Sequence, residues 1–190
     1  MTIAQGYSPS TDPRLLDGLL TEVSGLASSG RTSLLYSCLR TTLQRGECCA
    51  YVDTQGTFDP ETAQAAGMEF SRFLWVRCGG NPESALKAAD LLVHAGGFGL
   101  VLLDLSGAPA PLARRIPAAS WFRLRRGAEH SGIALVVSGE QSITGSCAQL
   151  QITVQRQEVC RSRYRLSGTA VQIECAKGRY GAKASFDTLR

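Results

Sequence analysis

Long apolar stretches are missing from this sequence. No uninterrupted apolar run approaches the ~18 residues that a membrane-spanning helix requires. The start of the sequence also lacks the basic segment followed by an apolar segment that is typical of a secretion signal. Both absences argue against membrane and secreted proteins, and we expect a cytoplasmic protein.

Residue groups with the spacing of a metal site are also absent. The two histidines, His94 and His130, are isolated, so no Ser/His/Asp or metal-binding group can be assembled around them. The seven cysteines are an odd number and include no CxxC or Cys/His spacing. We interpret them as reduced core residues, with a metal or redox site as the alternative.

Lysine is scarce, and the excess of positive charge is mild. Three of the 20 basic residues are lysines, and 16 acidic residues leave a net charge of +4. This balance is not typical of a dedicated DNA-binding protein. With 190 residues, 44% of them hydrophobic, the chain is long enough for one globular domain. We predict a flexible segment over 1–19 and a single domain over 20–190.

Apolar runs alternate with helical patterns along most of the chain. The runs predict strands at 21–25, 48–53, 73–78, 99–105 and 133–139. Helices are predicted over 32–44, from Asp59-Pro60, from Asn81-Pro82 to Gly96, and somewhere within 111–130. Two later β segments flank Ser167-Gly168, which predicts a hairpin that turns there. We therefore predict an α/β fold with a mostly parallel central sheet flanked by helices and a C-terminal β-hairpin.

The segment GLASSGRT, residues 25–32, fits the phosphate-binding motif GxxxxGK[ST] at every defined position except the lysine. It lies between a predicted strand and a predicted helix, as that motif requires. In such loops the backbone N–H groups and the helix N-terminus attract a phosphate. A glycine loop that only connects strand to helix is the alternative. The candidate nucleotide-binding residues are Gly25, Ser28, Ser29, Gly30, Arg31, Thr32, Ser33 and Asp104.

Arg31 replaces the lysine of that motif. It keeps the positive charge, but a guanidinium is a wide planar fork, whereas an ammonium is a compact charge that fits between two phosphates. Thr32 could bind Mg²⁺ if a nucleotide binds, and Asp104, at the end of GLVLLDL, fits the acid that holds this ion through water. A strand-end acid with no such role is the alternative for Asp104.

From about residue 20 to 186 the chain resembles the RecA recombinases. The resemblance rests on GLASSGRTSL, CAYVDTQGTFDPETAQAAGM, LVLLDLSG and IECAKGRYGAKASFD. It implies a RecA-like core whose cofactors would be ATP and Mg²⁺. In RecA proteins a glutamate positions the attacking water where this chain has Gln55, which cannot accept a proton, so no catalytic residue is assigned.

Two further expectations come from the same resemblance. Lys177 and Arg179 match a basic pair that reaches the nucleotide across a subunit interface, which implies a homo-oligomer; a solvated basic patch is the alternative. Only about a dozen residues, EQSITGSCAQL, stand where RecA proteins have their second DNA-binding loop. A stand-alone recombinase filament is therefore not expected.

The chain is more similar still to the trimmed RecA relatives called ImuA. These share a degenerate phosphate-binding loop, an LLDL strand and an arginine-rich helix like WFRLRR at 121–126. The resemblance implies a noncatalytic or weakly catalytic accessory role in SOS-induced translesion synthesis. Its implied partners are an ImuB-like polymerase, an error-prone replicative-type polymerase and RecA.

Two arginine clusters are candidate surfaces for DNA or for a protein partner. Arg161, Arg163 and Arg165 alternate with other residues, which predicts three guanidinium groups on one face of a single strand. The second cluster lies on or beside one predicted helix and contains Arg114, Arg115, Arg123, Arg125 and Arg126. A solvated face is the alternative for each cluster.

Two other functions stay open. One is a DNA-dependent ATPase in which Arg31 and another carboxylate, such as Asp53 or Glu140, replace the usual residues. The other is a noncatalytic inhibitor resembling the SulA cell-division blockers, which share the core but lack the phosphate-binding loop.

Overall fold

The computed structural model describes residues 16–162, 165–177 and 183–188. For residue 110 and for the described residues after 156, the model describes only the backbone. Our predicted segment 1–19 therefore lies almost entirely outside the described residues.

Eight strands within the described residues form one sheet in the order β3-β2-β4-β5-β1-β6-β7-β8. In this spatial order the first six strands, which begin with β3 and end with β6, are parallel to one another. The last two, β7 and β8, continue the sheet as antiparallel strands. The predicted α/β fold with a C-terminal hairpin is thus confirmed. The strands are β1 Leu20–Ser24, β2 Cys49–Asp53, β3 Phe73–Arg77, β4 Leu100–Asp104, β5 Ala134–Gly139, β6 Leu150–Ser162, β7 Arg165–Lys177 and β8 Lys183–Thr188.

Helices connect the parallel strands and cover both faces of the sheet. They are α1 Arg31–Gln44, α2 Pro60–Ala65, α3 Pro82–Ala95, α4 Ala110–Ala113 and α5 Ala118–Ser131. Two begin as predicted, because the Asp59 side chain caps α2 and the Asn81 side chain caps α3, each followed by proline. The helix predicted within 111–130 is two helices, because Pro117 stands between α4 and α5 and fits the extended backbone there (ψ 142°).

The central strands β2, β4 and β5 are buried along their whole length and are nearly continuous apolar runs. On one face, α1 packs through residues such as Leu35 and Leu39 against β2, β4 and β5. On the other, α3 and α5 pack through Ala89, Val93 and Trp121. Trp121 is only 1% exposed, so it belongs to the core and not to a binding surface.

The strand order brings distant parts of the chain to one edge of the sheet. β1 lies between β5 and β6, and β4 lies between β2 and β5. Asp53, Asp104 and Ser138 are aligned across three strands, and Ser24 is aligned with Gly139. Because the strands are parallel, their carboxyl ends meet at this edge, where ligands of such sheets bind.

The C-terminal hairpin differs from the prediction in where it turns. Ser162 pairs with Arg165, and Cys160 pairs with Gly168, so Ser167-Gly168 lies within β7. The register shifts between Cys160 and the next residue, which places a bulge beside the Ser-Gly pair. The dipeptide that predicted a turn therefore marks an irregularity inside a strand.

The prediction for the first arginine cluster is also wrong in part. Arg161 lies in β6 and Arg165 in β7, so the cluster is divided between two strands. Arg163 lies outside the described residues. The three arginines therefore do not alternate along a single strand.

Candidate functional site

A cleft of about 530 Å³ opens at the carboxyl edge of the parallel strands. The phosphate-binding loop, the start of α1 and the segment after β4 form its walls. Its lining residues are Leu26, Ala27, Ser28, Ser29, Gly30, Arg31, Thr32, Ser33, Tyr36, Tyr51, Thr57, Asp104, Ser106, Gly107, Glu140 and Arg156.

The loop from Gly25 to Gly30 has the backbone of an anion-binding turn. Ser28 has φ +62°, the only positive φ of a non-glycine residue in the described part of the chain, and Gly30 follows with φ +95°. Gly25 is required by close approach, because an added Cβ would lie 2.6 Å from the carbonyl oxygen of Val154. Left-handed residues within such a turn direct successive N–H groups toward one point. The backbone therefore fits a phosphate group.

The side chain of Arg31 contacts the protein itself. One terminal nitrogen, Nη1, donates to the carbonyl oxygens of Gly25 and, at 2.8 Å, of Gly139. The other, Nη2, donates to Ser106 Oγ at 2.8 Å. The residue is 8% exposed. The positive charge of the motif is therefore held among the ends of β1, β4 and β5.

Asp104 is hydrogen-bonded through both carboxylate oxygens. Oδ1 accepts from the backbone N–H of Ser106 at 2.9 Å and from its hydroxyl, and Oδ2 accepts from the Tyr51 hydroxyl at 2.5 Å. Burial and the adjacent carboxylate raise the pKa of Tyr51, so its phenol stays protonated and donates. Asp104 thus lies where the sequence predicts, but protein donors already use its oxygens.

The remaining residues of the motif are divided between the surface and the interior. Ser28, Thr32 and Ser33 are exposed along the cleft. Ser29 is buried, and its hydroxyl accepts from the N–H of Arg31 at 3.4 Å. The backbone loop and Thr32 fit a phosphate and its ion, whereas Arg31, whose guanidinium is bonded within the protein, does not fit a magnesium-nucleotide.

The carboxylates that could replace a catalytic glutamate lie in different surroundings. Asp53 is fully buried and accepts hydrogen bonds from Gly56, Thr57, Phe58 and the Trp75 indole. Those bonds organise the loop after β2, so Asp53 does not face the cleft as a free base. Glu140, in contrast, is exposed and lines the cleft. The side chain of Gln55 lies beside Gly80 and Gly107 and is not among the lining residues.

Sequence reasoning missed several residues of the cleft. Tyr36, Tyr51 and Ser106 supply hydroxyl groups, and the Phe58 ring lies 5.6 Å and 5.0 Å from the two tyrosine rings. Of these, only Ser106 had a usable signal, since it follows Asp104 by two residues. Arg156, on β6, is brought to the cleft by the sheet order alone.

A buried carboxylate next to the cleft was also missed. Glu22, 1% exposed on β1, accepts from the backbone N–H groups of Ile143 at 2.6 Å and Thr144 at 2.9 Å. It also accepts from the Ser142 hydroxyl and the Gln151 amide, at 2.6 Å and 3.0 Å. The short loop after β5, which carries Glu140, is therefore anchored to the central sheet.

The arginines of α5 are not equivalent. Arg123 forms an ion pair with Asp90 on α3 at 2.9 Å, and Arg125 forms one with Glu129 on the same helix at 2.9 Å. Arg126 is exposed. Two of the five arginines in this cluster thus support the packing or surface of the helices.

The remaining predicted site residues are described only in part. Lys177 ends β7, and its side chain is not described, while Arg179 lies outside the described residues. His94 and His130 are both exposed, and Nδ1 of His94 lies 2.8 Å from the Asp90 carbonyl. The roles assigned to Lys177 and Arg179 stay predictions.

Cysteines show no sign of a metal site in the described part of the chain. Its five cysteines with described side chains are free thiols, and burial raises the pKa of Cys38 and Cys49 to about 12. No group of three potential metal ligands occurs among the described residues. Among the same residues, no helix is both long enough and apolar enough to span a bilayer.

Comparison with known proteins places this site in a family. A model of the RecA N-terminal domain matches residues 13–115, more than half of the chain, from before β1 to the segment after β4. The chain belongs to the RecA family. The matched residues include the phosphate-binding loop, Gln55 and Asp104.

Individual RecA proteins align with shorter or longer parts of the chain. The RecA protein of Ruegeria pomeroyi is 33% identical over 94 residues, which are 50% of this chain and 27% of that protein. The RecA protein of Clavibacter michiganensis is 30% identical over 139 residues, which are 72% of this chain and 36% of that protein. The chain therefore spans only about a third of the length of the RecA proteins that it matches.

Proposed function

We propose that this chain is a noncatalytic RecA-like accessory protein of the ImuA type, acting in DNA-damage tolerance through contacts with other proteins. The observation that carries the proposal is the position of Gln55. This residue stands where RecA proteins have the glutamate that positions water. An amide cannot accept a proton from the attacking water, so this position supplies no general base.

The proposed partners are an ImuB-like polymerase, an error-prone replicative-type polymerase and RecA, in SOS-induced translesion synthesis. Two observations support protein contacts as the basis of the function. The WFRLRR segment that resembles ImuA forms part of α5, and the loop after β5 is short and anchored by Glu22. An anchored loop of this length does not suit strand exchange.

The outer face of α5 is the proposed contact surface. Phe122 is 47% exposed, and Arg126 follows it by one helical turn on the same face. The segment 110–131 holds five arginines against one glutamate, a net charge of +4 that equals the net charge of the whole chain. An exposed aromatic ring beside unpaired positive charge suits an acidic protein segment with an apolar anchor.

Capture of purified ImuB-like polymerase by the immobilised chain tests this proposal. We expect Phe122→Ala and Arg126→Glu each to weaken binding by about tenfold, as central aromatic and charged contacts do. Arg72→Glu is the matched control, because it reverses an exposed charge just before β3 and should leave binding unchanged. Equal binding by all four proteins would refute the surface, and capture of a division protein instead would favour the SulA-like alternative.

The DNA-dependent ATPase is the second candidate, and Glu140 is the observation in its favour. This exposed residue lines the cleft together with the phosphate-binding loop. If Glu140 acts as the base, purified protein should hydrolyse ATP with Mg²⁺ and single-stranded DNA, and Glu140→Gln should abolish the activity. Absence of hydrolysis in the unaltered protein would remove this candidate. Direct DNA contact by Arg161, Arg163 and Arg165 stays a separate prediction, tested by the salt dependence of binding.

A further inference from the structure

Three separate segments meet at the guanidinium group of Arg31. Its acceptors are the carbonyl oxygens of Gly25, just after β1, and Gly139, the last residue of β5, and the hydroxyl of Ser106, just after β4. Two of these acceptors lie 75 and 108 residues away in sequence. Arg31 therefore joins the phosphate-binding loop to the ends of two other strands.

The network continues from Ser106 to the acid of the site. The Ser106 hydroxyl accepts from Arg31 and donates to Asp104, whose other oxygen accepts from Tyr51 on β2. A positive and a negative side chain, 8% and 6% exposed, are thus bridged by one hydroxyl. A fourth strand, β2, is tied to the same network through the phenol of Tyr51.

This donor set disagrees with a magnesium-nucleotide site. Swinging the guanidinium toward a phosphate would break its bonds to the carbonyl oxygens of Gly25 and Gly139, which are buried, and unmade bonds to buried groups are unfavourable. Asp104 already accepts three hydrogen bonds, from the N–H and hydroxyl of Ser106 and from Tyr51, which leaves one acceptor position for a water of a Mg²⁺ shell. The three donors of a lysine ammonium radiate from one nitrogen, whereas the guanidinium reaches these acceptors from two nitrogens held in one plane.

We infer that Arg31 converts the phosphate-binding loop into a self-bonded junction, in which the guanidinium, in place of a bound magnesium-nucleotide, joins the strand ends. This inference rests on the noncatalytic function proposed above. It assigns a structural role to the one position that departs from the motif. The folded protein then requires arginine at position 31, and replacing it with lysine, the usual residue of the motif, should destabilise the fold.

Thermal unfolding of the isolated chain and of four variants tests the inference. Arg31→Lys should lower Tm by about 5–10 °C, since it removes charge-assisted bonds from a buried site. Ser106→Ala should lower Tm by a smaller amount, and the Arg31→Lys/Ser106→Ala double variant should lose less than the sum, because the two residues share one bond. Arg72→Lys is the matched control: it makes the same substitution at an exposed arginine just before β3, so Tm should not change.

The same proteins are then heated with ADP and Mg²⁺, and with ADP and a chelator. Ligands that bind the folded state raise Tm, so the inference expects no Mg²⁺-dependent rise for the unaltered chain. A rise of several degrees that requires Mg²⁺ would overturn it, as would an Arg31→Lys variant as stable as the original. No partner protein enters this experiment, so its failure is distinct from a failure of the polymerase-binding test.

Discussion

Asp53→Asn should destabilise the fold strongly, although it changes a single atom. Asp53 is fully buried, and each carboxylate oxygen accepts two hydrogen bonds, from Gly56 (2.7 Å) and Thr57 (3.1 Å) on one side and from Phe58 (3.0 Å) and Trp75 (3.2 Å) on the other. An amide keeps one oxygen and turns its NH₂ group toward two donors. Losing two bonds to a charged group costs about 1.5–3 kcal/mol each, so we expect about 3–6 kcal/mol in all. That loss is a large share of the ~5–15 kcal/mol that stabilises a typical domain.

Urea unfolding measures this loss, with Asp59→Asn as the matched control. Asp59 is exposed and caps α2, and asparagine caps a helix about as well as aspartate, so the control should change stability little. A decrease of less than about 1 kcal/mol in the unfolding free energy of Asp53→Asn would refute the reasoning, because losing two charged hydrogen bonds of normal strength costs more than that. Retained stability combined with lost ATP hydrolysis would instead make Asp53 a catalytic residue.

Three further predictions concern the cleft and the helix layer. Gln55→Glu should not create ATP hydrolysis, because the Arg31 guanidinium is bonded to protein acceptors; turnover by the variant but not by the original chain would contradict this. Burial and the carboxylate of Asp104 raise the pKa of Tyr51, so above pH ~10 only the unfolded state ionises and the unfolding free energy falls as pH rises. Tyr51→Phe should flatten that fall by about 1.4 kcal/mol per pH unit in urea titrations, and identical slopes would refute the assignment. Gly127→Ala should lower Tm despite the better helix propensity of alanine, because the added Cβ would lie 2.8 Å from Val93 Cγ1; an unchanged or higher Tm would mean that α3 and α5 can separate freely.

Local signals predicted the elements of this fold well. Apolar runs marked the five strands from β1 to β5 to within about two residues, because each buried strand of a parallel sheet is apolar on both faces. Asp59-Pro60 and Asn81-Pro82 marked helix starts, because capping depends only on neighbouring backbone groups. The Ser167-Gly168 signal failed because a bulge and a turn favour the same residues.

The candidate site was predictable in its location and not in its bonding. The glycine motif and Asp104 both lie at the carboxyl edge of the sheet, where the alternation of strands and helices places them. The directions of their side chains were not readable from the motif. Arg31 occupies the lysine position yet bonds to protein acceptors, and Gln55 occupies the glutamate position and lies beside Gly80 and Gly107.

The sequence by itself determined the α/β alternation, the phosphate-binding loop and the absence of a glutamate at position 55, since all three are local properties of the chain. Only the tertiary structure decided which groups meet at the edge of the sheet. Tyr51 and Asp104 are 53 residues apart, and Glu22 and Ile143 are 121 apart. The strand order brings these distant residues close together in space. Each buried side chain then takes the orientation in which its polar atoms have hydrogen-bond partners. For this reason the pattern of residues revealed a phosphate-binding motif. The packing of the strands revealed that the Arg31 side chain of this motif is hydrogen-bonded to other groups of the protein.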